Sequence, residues 1–584
     1  MNAGKETILK AHLGAEQEQV EAAIAAMQSD HLLTRIEQHD HRVWKPDPQE
    51  ISNRLGWMDI AARIDLAPID DLLEQVREEG YTHALLLGMG GSSLAPELFA
   101  QTFPPDERFS LQLSVQDSTN PGAVLAAQER LEPEKTLFIV STKSGSTVET
   151  LSFFKFFYNW TAETLGVERA GEHFIAITDP GSKLVDLAER HHFRQTFLND
   201  PNIGGRYSAL SYFGLAPAAL CGVDLQRLLA RARQMMQATA SGVPAEQNPA
   251  VQLGAILGVM ARQGRDKATF ITSGAIASFG DWVEQLIAES TGKAGKGIFP
   301  VVHEAPGVPA VYGDDRVFFD LRMKGDDVNS QAVQDLRDSG YPVVEIALEE
   351  VYDLGGQFYL WELATAIAGN LLTINPFDQP NVESAKVRAR QMVAAYKESG
   401  QLPAQTPLLS DQDIAVYGAE SAASLDTEWT LTSDTAAGAL AEFLSQARTG
   451  DYIALQAFVQ PEARTSAALQ ALRMKLRDEY RLATSVGYGP RFLHSTGQLH
   501  KGDSGNGLFI QITADDPHDA QIPDVAVEPD GPKPGSAISF GILIAAQAMG
   551  DRKALEEAGR RVLRLHVFSR VDEALRKMGE AFGE

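Results

Sequence analysis

The sequence holds one cysteine, Cys221, in 584 residues. A lone thiol cannot close an intrachain disulfide, so a disulfide-stapled secreted scaffold is excluded and a reducing, cytoplasmic setting is expected. Cys221 sits in the apolar run 215–223 and reads as a buried structural thiol rather than a nucleophile. Long hydrophobic runs are missing too. The longest, 538–549, is interrupted by Ser539, Gly541 and Gln547 and is too short to cross a bilayer, so it reads as a buried helix. The opening MNAGKETILKAHLG has no unbroken apolar stretch behind its basic residue and does not resemble a secretory signal. Positive charge is scarce as well: 51 Lys+Arg stand against 78 Asp+Glu, a formal net charge of −27. Such a surface repels nucleic acid and anionic lipid, so neither is an expected partner. A small anionic ligand would need Lys, Arg and backbone N–H groups concentrated in one place.

What is present describes a folded, multidomain chain. Hydrophobic residues make up 44% of it, and at roughly 100–200 residues per domain the length suits about three or four domains. Residues 1–60 combine a helix-like stretch with the polar, Pro-containing segment 39–48 and read as a helical lead-in outside the core. Strand-like runs then alternate with helical patterns. The first series, within 61–230, has strands at 83–87, 111–115, 137–141 and 174–178. The second, within 231–405, has strands at 267–272, 317–321 and 343–347 and a long helix at 357–371. Beyond a Gly- and Pro-containing linker at 400–412, the third series, within 406–584, has strands at 452–458, 482–485 and 507–513. This alternation predicts an α/β protein with doubly wound parallel sheets. The second and third series share an order, and GQFYLWELATAIAGNLLTINPFD set against GSAISFGILIAAQAMGDRKALEE raises the question of an internal duplication.

Two loops are built for phosphate. Gly88, Gly90 and Gly91 follow the strand at 83–87, with Ser92 or Ser93 as N-cap of the next helix. Glycines there let a ligand approach the backbone, and a helix start presents unpaired N–H groups to an anion. Tight strand-to-helix packing would also explain those glycines. The nucleotide fingerprint GxGxxG is not met, since Ser93 holds its third glycine position, and no P-loop Lys follows, so no nucleotide cofactor is expected. The second loop, VSTKSGSTVET from Val140 to Thr150, offers hydroxyls at 141, 142, 144, 146 and 147 with Lys143 and Gly145. Capping a helix needs one or two hydroxyls; five suit a phosphomonoester. No Cys/His cluster indicates a metal, because His191 and His192 are adjacent and His39 and His41 lie in the lead-in.

The motifs GMGGSS, STKSGSTVET, GGRYSALS, QLIAESTGKAGKG and NPFDQPNVESAK occur in this order and resemble the signature set of the glucose-6-phosphate isomerase family. The wording of ISNRLGWMDIA and LHSTGQLHKG is similar to the isomerase part of bacterial bifunctional transaldolase/glucose-6-phosphate isomerase proteins. With no transaldolase-sized segment before residue 60, only the isomerase activity is implied. The resemblance implies SIS-type domains, two of the isomerase kind plus a third similar α/β domain. It also implies aldose–ketose isomerisation of a sugar phosphate through a cis-enediolate, with no metal or cofactor. Glu289 matches the family's base, although from its own surroundings it reads as an ion-pair partner of Lys293 or Lys296. Arg206 would stabilise the enediolate oxygen, its alternative being a structural salt bridge. Gly90, Gly91, Ser92, Thr142, Lys143, Ser144 and Thr147 would hold the phosphate, Gln379 would join them, and Lys386 would assist ring opening. A related substrate such as mannose 6-phosphate, or a non-catalytic sugar-phosphate sensor, would use the same loops.

The ring-opening histidine departs from the family's pattern. The segment 307–319, where it is expected, has none, and His303 nearby lacks the motif. LHSTGQ in the third series resembles the family's histidine motif and makes His494 the candidate, with His500 and then His303 behind it. In the family this histidine comes from a neighbouring subunit. A third domain in the same chain would replace that subunit and permit a monomer, with a homodimer also compatible.

Overall fold

The computed structural model describes residues 8–105, 110–411, 413–418, 431–525 and 535–582. It begins with a short strand, β1 (Leu9–His12). The first sheet is parallel, in the order β3-β2-β4-β5-β6, built from β2 (His83–Gly88), β3 (Gln112–Gln116), β4 (Thr136–Ser141), β5 (Phe174–Thr178) and β6 (Gln195–Leu198). The apolar run in β2 is continuous because both faces are covered. Ala84 and Leu86 enter one core cluster, whereas Leu85 and Leu87 enter the one beneath the helix Val148–Leu165.

The second sheet contains β7 (Lys267–Thr272), β8 (Phe299–Val301), β9 (Arg316–Met323) and β10 (Val343–Leu348), parallel in the order β10-β9-β7-β8. β1 closes its outer edge antiparallel to β10, with Leu9 opposite Ile346. This corrects the reading of residues 1–60 as a lead-in outside the core. Val43, Trp44, Ile51, Leu55 and Trp57 are also buried, in the core shared with the first two sheets. A four-residue edge strand is too short to announce itself by periodicity, and the segment's polar residues lie between its anchors.

The third sheet has the order β11-β12-β18-β15-β13-β14. Its members are β11 (Leu409–Ser410), β12 (Ile414–Tyr417), β13 (Tyr452–Phe458), β14 (Ala483–Tyr488), β15 (Gly507–Ala514) and, after the hairpin of β16 (Gln521–Pro523) and β17 (Ser536–Ser539), β18 (Arg561–Val567). It repeats the second sheet strand for strand: β13, β14, β15 and β18 stand as β7, β8, β9 and β10 do, and β12 supplies the antiparallel edge as β1 does. The two helices compared by sequence are not counterparts, however. Leu354–Leu371 follows the fourth parallel strand of its sheet, whereas Phe540–Glu557 precedes it.

The second and third sheets meet where Phe299 of the edge strand β8 stacks on Tyr452 at the start of β13, with ring centroids 4.1 Å apart. The third domain also packs its helix Phe540–Glu557 on Val382–Ser399 so closely that a side chain on Gly550 would strike Ala389. Cys221 is buried as expected, and burial pushes its thiol up to about 12. No described helix is long and apolar enough to cross a membrane.

Candidate active site

In the first sheet β2 is flanked by β3 and β4, so successive connections leave in opposite directions between β2 and β4. A crevice opens there at the carboxyl ends of the strands, where such sheets bind ligands. The Gly90–Ser92 turn leaves β2 and the hydroxyl loop leaves β4, flanking a cleft of about 340 Å³. Twelve of the residues singled out from the sequence line it: Gly90, Gly91, Ser92, Thr142, Lys143, Ser144, Thr147, Arg206, Glu289, Gln379, Lys386 and His494. They come from all three domains.

Backbone contacts set the geometry. Gly90 has φ +56°, and a Cβ on it would lie 2.7 Å from the carbonyl oxygen of His494; a Cβ on Gly91 would lie 2.1 Å from that of Gly205. Three turns therefore meet where side chains do not fit. The hydroxyl loop is not a set of helix caps. Thr147 occupies the N-cap position of Val148–Leu165 without capping it, and its hydroxyl instead meets that of Thr142 at 2.8 Å. Ser144 pairs with Ser146 at 2.8 Å, and Lys143 ion-pairs with Asp179 while donating to the carbonyl of Pro201 at 2.9 Å. Ser93, one of the two serines expected as N-cap, does occupy that position of the helix Leu94–Thr102, but its hydroxyl donates to the carbonyl of Gly90 at 3.1 Å rather than capping the helix.

Arg206 is buried. Its Nε donates to Ser290 Oγ at 2.8 Å, Nη1 to Gln379 Oε1 at 2.8 Å, and Nη2 to the carbonyls of Pro376 at 2.7 Å and Asp378 at 3.0 Å. A guanidinium has five N–H donors; these bonds leave one on Nη1, the nitrogen 3.3 Å from Glu289 Oε1. The other Glu289 oxygen accepts from Gln285 Nε2 at 3.1 Å. Lys293 does not pair with Glu289. It holds the carboxylate and carbonyl of Asp378, beside Gln379, and burial together with the Arg206 charge pulls its ammonium down to about 8.

Of the three histidines, only His494 faces the cleft. Its Nε2 lies 3.1 Å from Glu149 Oε1, and its carbonyl accepts from Gln285 Nε2 at 2.8 Å. Gln547 Nε2 donates to the same Glu149 oxygen at 2.8 Å, and Thr119 donates to Gln547 at 2.6 Å. Burial pushes the Glu149 carboxyl up, but the charge and hydrogen bond of His494 outweigh it and leave the group below its ordinary value. His500 is enclosed in the third domain, where burial holds it well below the usual imidazole range, and His303 pairs with Asp281 at 3.1 Å outside the cleft. Lys386 lies exposed on Val382–Ser399 at the cleft's rim.

Sequence reasoning did not single out Gln285, Glu149, Asp179 or Gln547. Gln285 had a signal: it stands one helical turn before Glu289 and so shares its face. Gln547 reaches Glu149 across 398 residues, which no local pattern announces.

A doubly wound α/β protein with a hydroxyl- and glycine-lined cleft at the strand ends, and an arginine–glutamate pair beside it, is a phosphosugar-binding enzyme in class. Comparison narrows that class. The family described as phosphoglucose isomerase matches residues 75–314. The glucose-6-phosphate isomerase of Symbiobacterium thermophilum is 31% identical over 381 residues, which are 57% of this chain and 85% of that protein. That of Carboxydothermus hydrogenoformans is 28% identical over 379 residues, 55% and 81% of the respective chains. Among solved structures, a hypothetical protein from Thermus thermophilus superposes with a TM-score of 0.57 at 25% identity, covering 66% of this chain and all of that one. A glucose-6-phosphate isomerase from Chlamydia trachomatis shares the fold, with a TM-score of 0.56 at 18% identity over 67% and 89%. The chain belongs to the phosphoglucose isomerase family.

Proposed function

We propose that this enzyme interconverts glucose 6-phosphate and fructose 6-phosphate in the cytoplasm, and that a single chain carries the complete site. The phosphate is held by the backbone around Gly90 and Gly91, by Ser92, Thr142, Ser144 and Thr147, and by Lys143, which exchanges Asp179 for the ligand. Gln379, already bonded to Arg206, closes the wall between phosphate and sugar. His494 and Lys386 open the ring by taking a proton from the anomeric hydroxyl and giving one to the ring oxygen. Glu289 then removes the C2 proton, the electron pair moves toward O1, and the cis-enediolate oxygens meet the remaining Nη1–H of Arg206. A proton passes from O2 to O1 across the enediolate, and returning the abstracted proton to C1 then leaves the carbonyl at C2.

The observation that carries this reading is the pair Glu289 Oε1 and Arg206 Nη1, 3.3 Å apart in the phosphate-lined cleft. It puts a proton acceptor and an oxyanion donor within reach of adjacent carbons. A coupled assay of fructose 6-phosphate conversion tests it. Glu289→Gln keeps the shape and loses the base, so turnover should fall by about 10²- to 10⁴-fold. An inactive wild-type enzyme, or a fully active variant, overturns the assignment.

A further inference from the structure

The turn that delivers His494 is a short 3-10 helix, Arg491–His494, in the connection from β14 to β15. Its residues divide their contacts. Phe492 is buried against the third domain's own Phe458, with ring centroids 5.4 Å apart. Arg491 points the other way, into the first domain. One Nη pairs with the Glu97 carboxylate on the helix Leu94–Thr102, and the other lies 3.2 Å from Asp117 Oδ2, in the segment just beyond β3. Asp117 in turn lies 3.5 Å from Ser93 Oγ, the hydroxyl bonded to the Gly90 carbonyl. A charged fork thus joins the histidine turn to the phosphate turn, outside the cleft that Leu493 and His494 line.

We propose that Arg491 is the positioning residue for ring opening: gripped between Glu97 and Asp117, it fixes the third domain's turn against the first domain and so sets where His494 stands. This rests on the ring-opening role given to His494 above. The alternative for Arg491 is a plain interdomain salt bridge, and two features argue for more. The planar fork engages two carboxylates on two separate elements, which fixes direction as well as distance. It also lies in the same turn as His494, so a tilt about Phe492 moves the imidazole directly. The Gln285 bond and the Gly90 contact hold the His494 carbonyl and Glu149 meets its ring, so Arg491 adds the hold at the other end of the turn.

The test separates ring opening from proton transfer. Glucose 6-phosphate needs both steps. Erythrose 4-phosphate, whose terminal oxygen is esterified, has no hydroxyl placed to close a five- or six-membered ring, and exchange of its C2 proton in D2O reports on Glu289 alone. Arg491→Gln should lower kcat on glucose 6-phosphate by about 10- to 100-fold with little change in KM, while leaving the exchange rate near wild type. Arg491→Lys should recover part of the loss, and Glu97→Gln, which removes a first-domain partner, should reproduce the asymmetry if Arg491→Gln does not fold. Equal losses on both substrates, or none on either, overturn the proposal. His494→Asn is the companion measurement. If it lowers both rates equally, the ring-opening assignment itself falls; if it shows the asymmetry and the Arg491 and Glu97 variants do not, the positioning role alone is wrong.

Discussion

Replacing Gly91 with alanine adds one methyl group at the contact between the phosphate turn and the Arg206 turn. The added carbon would lie 2.1, 2.2 and 2.8 Å from the O, C and Cα of Gly205, all backbone atoms, so no change of rotamer relieves it. Side-chain carbons do not approach closer than 3.0 Å, and the turns must part by about 1 Å. Overpacking of this kind costs about 1–3 kcal/mol of stability, which a large core can tolerate. Function is more sensitive. In the proposed mechanism the two turns carry the phosphate anchor and the enediolate donor, and a displacement of about 1 Å between such groups is enough for about a 10²-fold loss. We expect Gly91→Ala to lower kcat/KM for glucose 6-phosphate by that order, measured by coupled assay, while the enzyme stays folded by circular dichroism. Gly204→Ala is the control: its added carbon meets nothing nearer than 3.9 Å, at φ −70°, and activity should hold. A Gly91→Ala enzyme within threefold of wild type, or a Gly204→Ala enzyme equally impaired, would refute the close-contact argument.

Glu362 is fully buried with one oxygen unpartnered among the described residues, and burial raises its carboxyl well above the ordinary 4.5. The native state therefore keeps a proton that the unfolded chain releases, so this group's effect on stability worsens as pH rises from 4.5 toward the folded value. Glu362→Gln should raise the free energy of unfolding at pH 8, read from urea melts, by up to about 1.4 kcal/mol for each pH unit between the unfolded value and the folded one, and should change it little at pH 4.5. A benefit that is the same at both values would contradict this. If one chain holds a complete site, specific activity should also stay constant on dilution below the point where light scattering reports monomers; activity lost with dissociation would show that a second copy is needed.

The alternation of apolar runs was legible because strands of a parallel sheet are buried on both faces and so read as unbroken hydrophobic stretches. β6 and β8, only four and three residues long, gave no such signal. The two cleft loops could be singled out because their pattern is local: glycines and hydroxyls immediately after a strand. Arg206 and Glu289 were recognisable by motif, yet the 3.3 Å between them depends on the Gly91 and Gly205 contact and on Gln285. His494 was singled out by wording alone, and it lines the cleft. What places it, Glu149, Gln547 and the grip on Arg491, joins residues hundreds of positions apart, and no periodicity encodes such contacts. The mismatched helix pair has a similar cause, since two apolar helices next to equivalent sheets look alike whether they precede or follow the last strand.

The repeat of the second sheet in the third raises the question of what the third carries where the second has Glu289. The elements that meet around the cleft have counterparts. In the second domain the helix Phe279–Thr291 lies between β7 and β8 and carries Glu289, while Gln285 on it donates to the carbonyl of His494 in the β14 to β15 connection. In the third domain the helix Ala463–Tyr480 lies between β13 and β14, and Arg473 on it donates at 2.8 Å to the carbonyl of Val302 in the β8 to β9 connection. Each helix thus holds the other domain's connection. At the same spacing before the next strand as Glu289, however, the third domain has Arg473, bonded to the hydroxyl and carbonyl of Thr484 at 3.1 and 2.6 Å. Arginine stays charged and cannot take a proton from carbon. Around it, Glu304 is paired with Arg316 at 3.2 Å and lies 4.0 Å from Arg477, so charged side chains pack the space a second cleft would need. Among the described residues the first sheet has no repeat either, so no second glycine turn of its kind faces that position. In the proposed mechanism the third domain supplies the histidine turn to the cleft, while its residue at the position of Glu289 helps to hold the second and third sheets together.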